Sequence, residues 1–322
     1  MDVRHGRRAG RVKMLRYAAL SAHPRVFKSM TGLAVGDFDA LVADVLPALR
    51  RAEYTRRSQR PRQRAVGGGH PHELSGRDQI LLTVVWLRQY PMQEVLAYLF
   101  GVSDSTVSRV IRRVLPLLEQ AGRDTMRLPD PGKKQRRTLD ALLAAVPGVV
   151  VIIDSFEQRV QRPGNRRAAD DLYSGKKKQH TLKSQVAVDE EGRIVDVAES
   201  ARGPTADITL LGQSGLLERL PAGVGGMGDL GYVGIDKLHP QGLGAAPRKK
   251  PRGQPRPAAD IAYNRAFARR RIVVEHSIGR LRRFQALTQT DRHQQRGHTA
   301  RVRAVAGLVN RRLDRHQRRR AA

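Results

Sequence analysis

Three acidic residues stand where a carboxylate could take part in chemistry. Asp154 ends the apolar run VVVIID, Asp229 lies in the glycine-rich segment GGMGDLGY, and Glu275 lies among apolar residues in RRRIVVEHSIGRL. A carboxylate on a core-facing helix stripe is costly unless something compensates its charge. Taken singly, each acid is better explained as a helix cap, a salt-bridge partner or a turn aspartate. Converging from strand, turn and helix, the three would be compensated by hard divalent cations.

The chemistry that such a cluster predicts is metal-assisted attack on a phosphodiester. Oxygen-only ligands favour Mg²⁺ or Mn²⁺ over zinc. Two such ions about 4 Å apart suit an in-line reaction, because one activates water or a 3′-hydroxyl and the other stabilises the leaving oxygen. We therefore predict catalytic and metal-binding roles for Asp154, Asp229 and Glu275. Two Mg²⁺ ions per site, replaceable by Mn²⁺, are the expected cofactors, with no small-molecule cofactor.

The charge of the chain indicates a polyanionic partner. Its 322 residues include 60 Lys and Arg against 30 Asp and Glu, giving a formal net charge of +30. Nucleic acid is the usual partner of such a protein. No cysteine occurs, which excludes disulfides and cysteine nucleophiles. No apolar run reaches about 18 residues, so we expect a cytoplasmic protein without a membrane partner. Abundant arginine suits a bacterial genome rich in GC, and DNA would bring the protein to the nucleoid.

The elements that must position the acids form an α/β unit after a helical region. A β-branched run from 149 predicts a strand, two alternating runs around DEEG predict a hairpin, and a long amphipathic helix follows. The expected order is as follows: a basic helical region over 1–60, an Arg/Gly linker over 61–72, a helix-turn-helix over 73–125, an α/β domain over 140–300 and a basic tail over 301–322. Its last segment, RRLDRHQRRRAA, is expected to be frayed. Ser75 and Asp78 have the spacing of a capping box.

A helix-turn-helix is predicted within MQEVLAYLFGVSDSTVSRVIRRVL. Ala97 supplies the small residue where two helices touch, Gly101 the turn, and Val107 the apolar anchor of the second helix. Ser103 would cap that helix. Short or basic side chains after it could contact DNA: Ser105, Thr106, Ser108, Arg109, Arg112 and Arg113. The alternative is a plain helical hairpin that packs on the rest of the protein.

Two further features leave two interpretations open. The segment YSGKKKQHTLKS could clamp phosphate beside the acids or be a solvated run. Its cations on a turn leading into a strand are Lys176, Lys177, Lys178 and Lys183. Asp207, before a helical run, could either cap that helix or bind metal.

Several consecutive blocks resemble the DDE-superfamily endonuclease of insertion-sequence transposases of the IS-five type. The blocks, within about 149–290, are VVIIDS, YSGKKKQHTLKSQVAVDEEGRIV, TADITLLGQSGLLERL, MGDLGY and ARRRIVVEHSIGRLRRF. The resemblance implies an RNase H-like fold with Asp154 on its first strand, Asp229 after a later strand and Glu275 on the closing helix. It also implies an enzyme that cuts double-stranded DNA at transposon ends and joins the 3′-hydroxyl to target DNA, as a homodimer or larger synaptic complex.

Residues around Glu275 partly match a pattern of such transposases, which carry Tyr, Arg, Glu and Lys at fixed spacing. Arg271 and Glu275 fit this pattern, whereas Ala268 replaces the tyrosine and Arg282 replaces the lysine. Arg282 can still bind phosphate, so both arginines are candidate DNA contacts.

The sequence thus predicts a DNA transposase with a helix-turn-helix and a nuclease domain. One alternative is a non-catalytic helix-turn-helix regulator with a decayed or domesticated nuclease, against which the presence of all three acids argues. Another is a basic RNA-binding protein, which an aromatic content of 4% disfavours, since single-stranded RNA is usually bound by stacking.

Overall fold

The computed structural model describes residues 14–59, 73–132, 148–293 and 297–321, with side chains of the last helix as far as 315. The predicted linker over 61–72, and residues 1–13 of the predicted N-terminal region, lie outside these ranges. None of the described helices combines the length and the apolar character that a membrane span requires.

The described residues before 133 are helical. They form six helices: α1 (Tyr17–Ser21), α2 (Pro24–Thr31), α3 (Val35–Ser58), α4 (Gly76–Gln89), α5 (Gln93–Phe100) and α6 (Asp104–Arg123). The capping box is confirmed, because Ser75 Oγ accepts a hydrogen bond of 3.1 Å from the Asp78 N–H at the start of α4. Phe38, Leu41 and Val42 of α3 face the core, as the apolar spacing predicts.

Helices α5 and α6 form the predicted helix-turn-helix. Gly101 ends α5 with a φ of +57°, a left-handed conformation that glycine adopts without steric cost. Ser103 caps α6, since its Oγ accepts a hydrogen bond of 3.2 Å from the Thr106 N–H. Ala97 and Val107 are both buried at the contact between the helices. The small residue, the turn and the anchor therefore have the predicted positions.

The described residues from 148 onward form an α/β unit around a seven-stranded sheet. Its strands are β1 (Val149–Arg159), β2 (Tyr173–Ser174), β3 (Gln179–Val188), β4 (Ile194–Val197), β5 (Ala201–Arg202), β6 (Val224–Met227) and β7 (Gly244–Ala245). Its helices are α7 (Arg166–Leu172), α8 (Asp207–Ser214), α9 (Leu216–Arg219), α10 (Ile235–Leu238), α11 (Ala258–Leu281) and α12 (His298–Ala321), with 3₁₀ turns at Leu230–Tyr232 and Gln285–Leu287.

The sheet has the mixed topology of an RNase H-like fold. The strand order is β2-β3-β1-β6-β7, and β4 and β5 pair with β3. β1 is antiparallel to β3 but parallel to β6, which is itself parallel to β7. The hairpin predicted around DEEG is β3 and β4. The α/β class predicted from the sequence is therefore confirmed.

Strand β1 is longer than the apolar run suggests. Asp154 does not end the strand: it pairs with Val186 of β3, and the pairing continues as far as Arg159. Pairing with β6 instead stops at Ile152 and Met227. Because parallel strands leave a sheet at the same edge, Asp154 and Asp229 both follow the end of this parallel pair.

The segment expected to be a basic tail is a packed helix. Helix α12 begins at His298 and buries Val302, Val305 and Leu308. Its backbone meets that of α6 closely, since a Cβ on Gly307 would lie 2.3 Å from the Cα of Gly122. The prediction for 301–315 was wrong because the many arginines conceal a regular apolar spacing.

One hydrophobic core spans the helical region and one face of the sheet. Phe38 of α3, Trp86 of α4, Val114 of α6, Ile152 of β1 and Val305 of α12 all belong to it. A second, smaller core lies on the opposite face of the sheet under α8 and α9. The described core therefore shows no break between the helix-turn-helix and the α/β unit.

Candidate active site

Asp154 is the most perturbed carboxylate at the edge where β1 and β6 stop pairing. Its side chain is 18% exposed, and its Oδ1 accepts a hydrogen bond of 2.8 Å from the Ser155 N–H. Burial raises the pKa of Asp154 to about 6. The hydrogen bond from Ser155 and the charge of Arg271 oppose this rise, while the charges of Asp229 and Asp207 add to it. The ionised form of Asp154 is thus stabilised by Arg271 and by the Ser155 N–H, and destabilised by the charges of Asp229 and Asp207.

Asp229 and Asp207 approach each other around Gly231. The Oδ1 atom of Asp229 accepts a hydrogen bond of 2.8 Å from the Gly231 N–H. A Cβ on Gly231 would lie 2.7 Å from Asp207 Oδ2 and 3.0 Å from Asp229 Oδ1. A side chain at this position would displace one or both carboxylates. The glycine-rich turn therefore makes room for two acids, of which only Asp229 was a predicted site residue.

Asp207 does not cap its helix. The N-cap position of α8 is Ala206, which forms no side-chain capping bond. Asp207 Oδ1 instead accepts hydrogen bonds of 2.6 Å from Ser155 Oγ and 2.9 Å from Lys183 Nζ. Successive residues of a strand point to opposite faces. Asp154 therefore contacts Arg271 of α11 on one face of the sheet, and Ser155 contacts Asp207 of α8 on the other. Asp207 thereby joins the acidic group from the side of α8.

Lys183 lies apart from the lysines with which it was grouped. It belongs to β3, its side chain is 9% exposed, and it pairs with Asp207. Its Nζ also donates to the Thr205 carbonyl at 2.6 Å. Lys176, Lys177 and Lys178 are exposed on the turn between β2 and β3, as predicted. Lys183 therefore does not belong to the exposed group, for which both interpretations, a phosphate clamp and a solvated run, stay open.

Tyr232 is a buried member of the site that the sequence interpretation did not single out. Burial, together with the charges of Asp207, Asp154 and Asp229, raises the pKa of its phenol. Its ring packs on Gly228, where a Cβ would lie 2.5 Å from ring carbons. The phenol therefore stays protonated beneath the acids. Its place in MGDLGY, three residues after Asp229, could have identified it.

Glu275 lies at the rim of the site rather than on the core-facing stripe. Its side chain is 49% exposed, while its neighbours Val274 and Ile278 are buried. Arg271, one turn earlier on α11, pairs with Glu275 and with Asp154, whose Oδ2 lies 3.3 Å from Arg271 Nη1. Within the described ranges, no three or more His, Cys, Asp or Glu side chains are arranged to hold a metal ion. Arg271 thus links two of the predicted ligands.

Arg282 and Ala268 occupy the positions where the transposase pattern has Lys and Tyr. Both are exposed. Arg282 is the C-cap of α11 and lies seven residues after Glu275, which at 3.6 residues per turn places it near the same helix face.

The exposed face of α6 carries most of the predicted DNA contacts. Ser105, Arg109 and Arg112 are exposed there, and Thr106 and Ser108 are partly exposed. Arg109 folds back along the helix, since its Nε donates to the Ser105 carbonyl at 3.0 Å.

Arg113 differs from this group. It points towards α3 and pairs with Glu53 at 2.9 Å. Burial lowers the pKa of its guanidinium, and the charge of Glu53 opposes that shift. Arg113 therefore contributes to packing between α3 and α6 in this structure.

Comparisons with known proteins match both regions. A family model described as "DDE superfamily endonuclease" matches residues 153–310, and one described as "Helix-turn-helix of DDE superfamily endonuclease" matches residues 72–124. The chain is 29% identical over 290 residues to the "Probable transposase for insertion sequence element IS702" of Microchaete diplosiphon, covering 89% of this chain and 94% of that protein.

More distant similarity extends to animal proteins. The chain is 26% identical over 168 residues to "Putative nuclease HARBI1" of Bos taurus and 25% identical over 168 residues to that of Homo sapiens. Each match covers 51% of this chain and 45% of the relative. No solved structure matches the chain. The two matched regions, together with the fold, show that the chain belongs to the DDE superfamily endonucleases and carries their helix-turn-helix.

Proposed function

We propose that the chain is a DNA transposase that binds transposon ends, cleaves a strand and transfers the freed 3′-hydroxyl to target DNA. Family membership and the net charge of +30 support this function. The observation that carries it is the group of carboxylates at the edge where β1 and β6 stop pairing, with the pKa of Asp154 raised to about 6. Perturbed carboxylates of this kind are typical of functional sites.

The residues at this edge fit divalent cations in their chemistry. Asp154, Asp229 and Glu275 supply only oxygen donors, which suit Mg²⁺ or Mn²⁺. Gly231 leaves space where a Cβ would meet two carboxylates. When bound, two ions would activate the attacking oxygen and stabilise the leaving one. We propose the three acids as catalytic ligands, with Asp207 as a neighbour held in place by Ser155 and Lys183.

The chain's own cations have distinct tasks in this proposal. Arg271 keeps Asp154 and Glu275 close together before ions bind, since it pairs with both. Arg282 and Lys176 to Lys178 are exposed and can contact phosphates near the site. Arg109 and the short side chains of α6 would reach base edges in a major groove. A synaptic complex of two or more copies would hold two ends together.

One observation favours a second function, that of a non-catalytic DNA-binding regulator. In the described residues the acids are not arranged as a metal-binding group, and Arg271 forms ion pairs with two of them. A decayed nuclease would retain such an ion pair permanently. The two functions differ in whether the acids respond to Mg²⁺ and in whether DNA is cut.

The test compares Glu275→Gln with Glu218→Gln, which removes an exposed carboxylate on α9. Both variants and the wild type are incubated with DNA that carries the ends of the transposon surrounding the gene of this protein, in Mg²⁺ and in Ca²⁺. Glu275→Gln is expected to lose cleavage by orders of magnitude while binding the ends within a few-fold of the wild type. Cleavage by Glu275→Gln in Mg²⁺ would remove Glu275 from the site. End binding by the wild type without cleavage would favour the regulator.

A further inference from the structure

Four arginines line a cavity of about 500 Å³ between α4, the end of α11 and α12. They are Arg88, Arg280, Arg283 and Arg312. Phe284 and Leu313 contribute an apolar wall, and Glu191 is the single carboxylate in the lining. The lining thus carries four formal positive charges against one negative charge. It includes none of the predicted catalytic acids and no residue of α5 or α6, although Arg88 of α4 lies within the region that matches the helix-turn-helix family.

The arginines of this cavity repel one another. Burial lowers the pKa of the Arg88 and Arg280 guanidinium groups, and the charges of Arg283 and Arg312 lower both further. Among the described residues, no carboxylate counteracts these shifts for Arg88 or Arg280. Elsewhere in the described structure, arginines such as Arg301 and Arg113 are compensated by buried or half-buried acids. Arg88 and Arg280 differ from these two arginines, since no described carboxylate raises their pKa.

The cavity also contains hydrogen-bond donors that are poorly satisfied. The Nε atom of Arg88 is buried without a hydrogen-bond acceptor, and its guanidinium lies over the Phe284 ring at 5.3 Å. Within the described residues, Arg280 Nη1 makes two long hydrogen bonds, to the Gly192 carbonyl at 3.5 Å and to Ser277 Oγ at 3.3 Å. A buried polar group without a partner is costly. An anion with several acceptor oxygens would use these donors and offset the repulsion.

We propose that this cavity is a binding site for phosphate groups. Guanidinium forks match phosphate oxygens in a two-bond geometry, which a lone ammonium does not provide. The volume is within the range of small-ligand pockets. The phosphates could belong to a DNA strand or to a free phosphate-bearing molecule, because both present the same oxygens. Arg280 follows Glu275 by five residues, about 7.5 Å along α11 and about 140° around it, so a strand leaving the proposed active site would have to pass around α11 to reach the cavity.

The first experiment uses inorganic pyrophosphate and the full chain in a phosphate-free buffer. Thermal unfolding is followed against pyrophosphate for the wild type, for Arg283→Gln combined with Arg312→Gln, and for Arg265→Gln. Arg265 is an exposed arginine fifteen residues before Arg280 on the same helix, about 22 Å away. The double variant should need at least fivefold more pyrophosphate for half of the stabilisation, whereas Arg265→Gln should match the wild type. If the double variant does not fold, single Arg312→Gln makes the same comparison.

The second experiment identifies the source of the phosphates and rests on the proposed DNA binding. Affinity for duplex DNA is measured against salt for the same proteins. The salt slope is the slope of the logarithm of DNA affinity against the logarithm of salt concentration. If its magnitude falls by about 1 for each phosphate no longer neutralised, and by more than in Arg265→Gln, the site binds DNA. An unchanged slope with weakened pyrophosphate binding would assign it to a free molecule. Unchanged pyrophosphate binding and an unchanged slope would overturn the proposal. Neither measurement needs strand cleavage, so inactivity of the nuclease would not affect the result.

Discussion

Arg271 Nη1 lies 3.3 Å from Asp154 Oδ2, and the same guanidinium pairs with Glu275. One guanidinium therefore pairs with a carboxylate from the sheet and a carboxylate from α11, and the three groups together keep one formal negative charge when both acids are ionised. The charge of Arg271 also opposes the rise in the pKa of Asp154 that burial causes. A divalent cation at these two acids would have to compete with Arg271. The stabilisation of the protein by a divalent cation should therefore depend on the strength of the ion pairs that Arg271 makes with Asp154 and Glu275.

This competition predicts the behaviour of Arg271→Gln. Without metal the variant should unfold at a lower temperature, because Asp154 and Glu275 lose the cation that pairs with both of them. Its stabilisation by Mn²⁺ should be larger than that of the wild type, since binding no longer displaces a guanidinium. Thermal unfolding with EDTA and with Mn²⁺ measures both effects, with Arg265→Gln as the charge-matched control. A smaller Mn²⁺ effect in Arg271→Gln would contradict the competition.

The raised pKa of Asp154 predicts a pH dependence of stability. Between about pH 4 and pH 6 the folded protein keeps a proton on Asp154 that the unfolded chain has released, so the stability contribution of Asp154 falls as pH rises through this window. Asp154→Asn removes the charge at nearly constant volume. At pH 7 without metal it should be more stable than the wild type, by on the order of 1 to 3 kcal/mol.

Denaturant unfolding at pH 4 and at pH 7 checks this difference, which should vanish at the lower pH. Asp236→Asn, at an exposed carboxylate on α10, provides the control. An Asp154→Asn variant that is less stable than the wild type at pH 7 would mean that the ion pair with Arg271 outweighs burial.

Local sequence patterns predict individual elements of this protein well. The capping box at Ser75, the turn at Gly101 and the cap at Ser103 each depend on a few adjacent residues, and all three are confirmed. The resemblance to a known family supplies the fold class, because several ordered blocks constrain it together. Neither kind of information determines which side chains meet across layers.

The departures concern contacts between distant segments. The sequence does not distinguish Lys183 from the nearby Lys176 to Lys178. In the structure Lys183 lies within β3 and its side chain pairs with Asp207. Arg113 has the spacing of a DNA contact, yet Glu53, sixty residues away, pairs with it. The many arginines of α12 suggested an unpacked basic tail, whereas this segment is a helix whose Gly307 packs against Gly122 of α6. Charge alone does not reveal the surface on which a residue lies.

The contact between α6 and α12 predicts that the two regions unfold together. A methyl group on Gly307 would lie 2.3 Å from the Cα of Gly122, and both atoms belong to helix backbones. Gly307→Ala should therefore destabilise the protein by about 1 to 3 kcal/mol. Gly36→Ala in α3, where nothing lies within 4 Å, is the control. Calorimetry should show a single transition that shifts as a whole. A second transition that does not shift would indicate independent domains.

Gly231→Ala tests the proposed cation site without changing any charge. The added methyl group would meet Asp207 Oδ2 at 2.7 Å and Asp229 Oδ1 at 3.0 Å, so the carboxylates must move. If Asp229 is a ligand, stabilisation by Mn²⁺ and strand cleavage should both decrease, while binding of transposon ends should persist. Gly36→Ala again serves as the control. An unchanged Mn²⁺ response would separate Asp229 from the cation.

Arg109→Ala tests whether α6 reads base edges. Arg109 is exposed, and hydrogen bonds from its Nε and Nη2 to Ser105 hold it along the N-terminal part of α6, the end of a recognition helix that contacts bases. Removing a bidentate hydrogen bond to guanine would cost about 1 to 3 kcal/mol on the cognate end, with a smaller effect on random duplex.

Arg112→Ala is the matched comparison, because Arg112 is also exposed on α6 but lies one turn further from the N-terminal end of the helix. We expect Arg112 to bind phosphate, so its removal should weaken binding to all duplexes alike and reduce the salt slope by about 1. Anisotropy titrations of both variants on cognate and random DNA, at several salt concentrations, distinguish the two roles. If Arg109→Ala weakens both duplexes equally, Arg109 binds phosphate too, and specificity must come from Ser105, Thr106 or Ser108 instead.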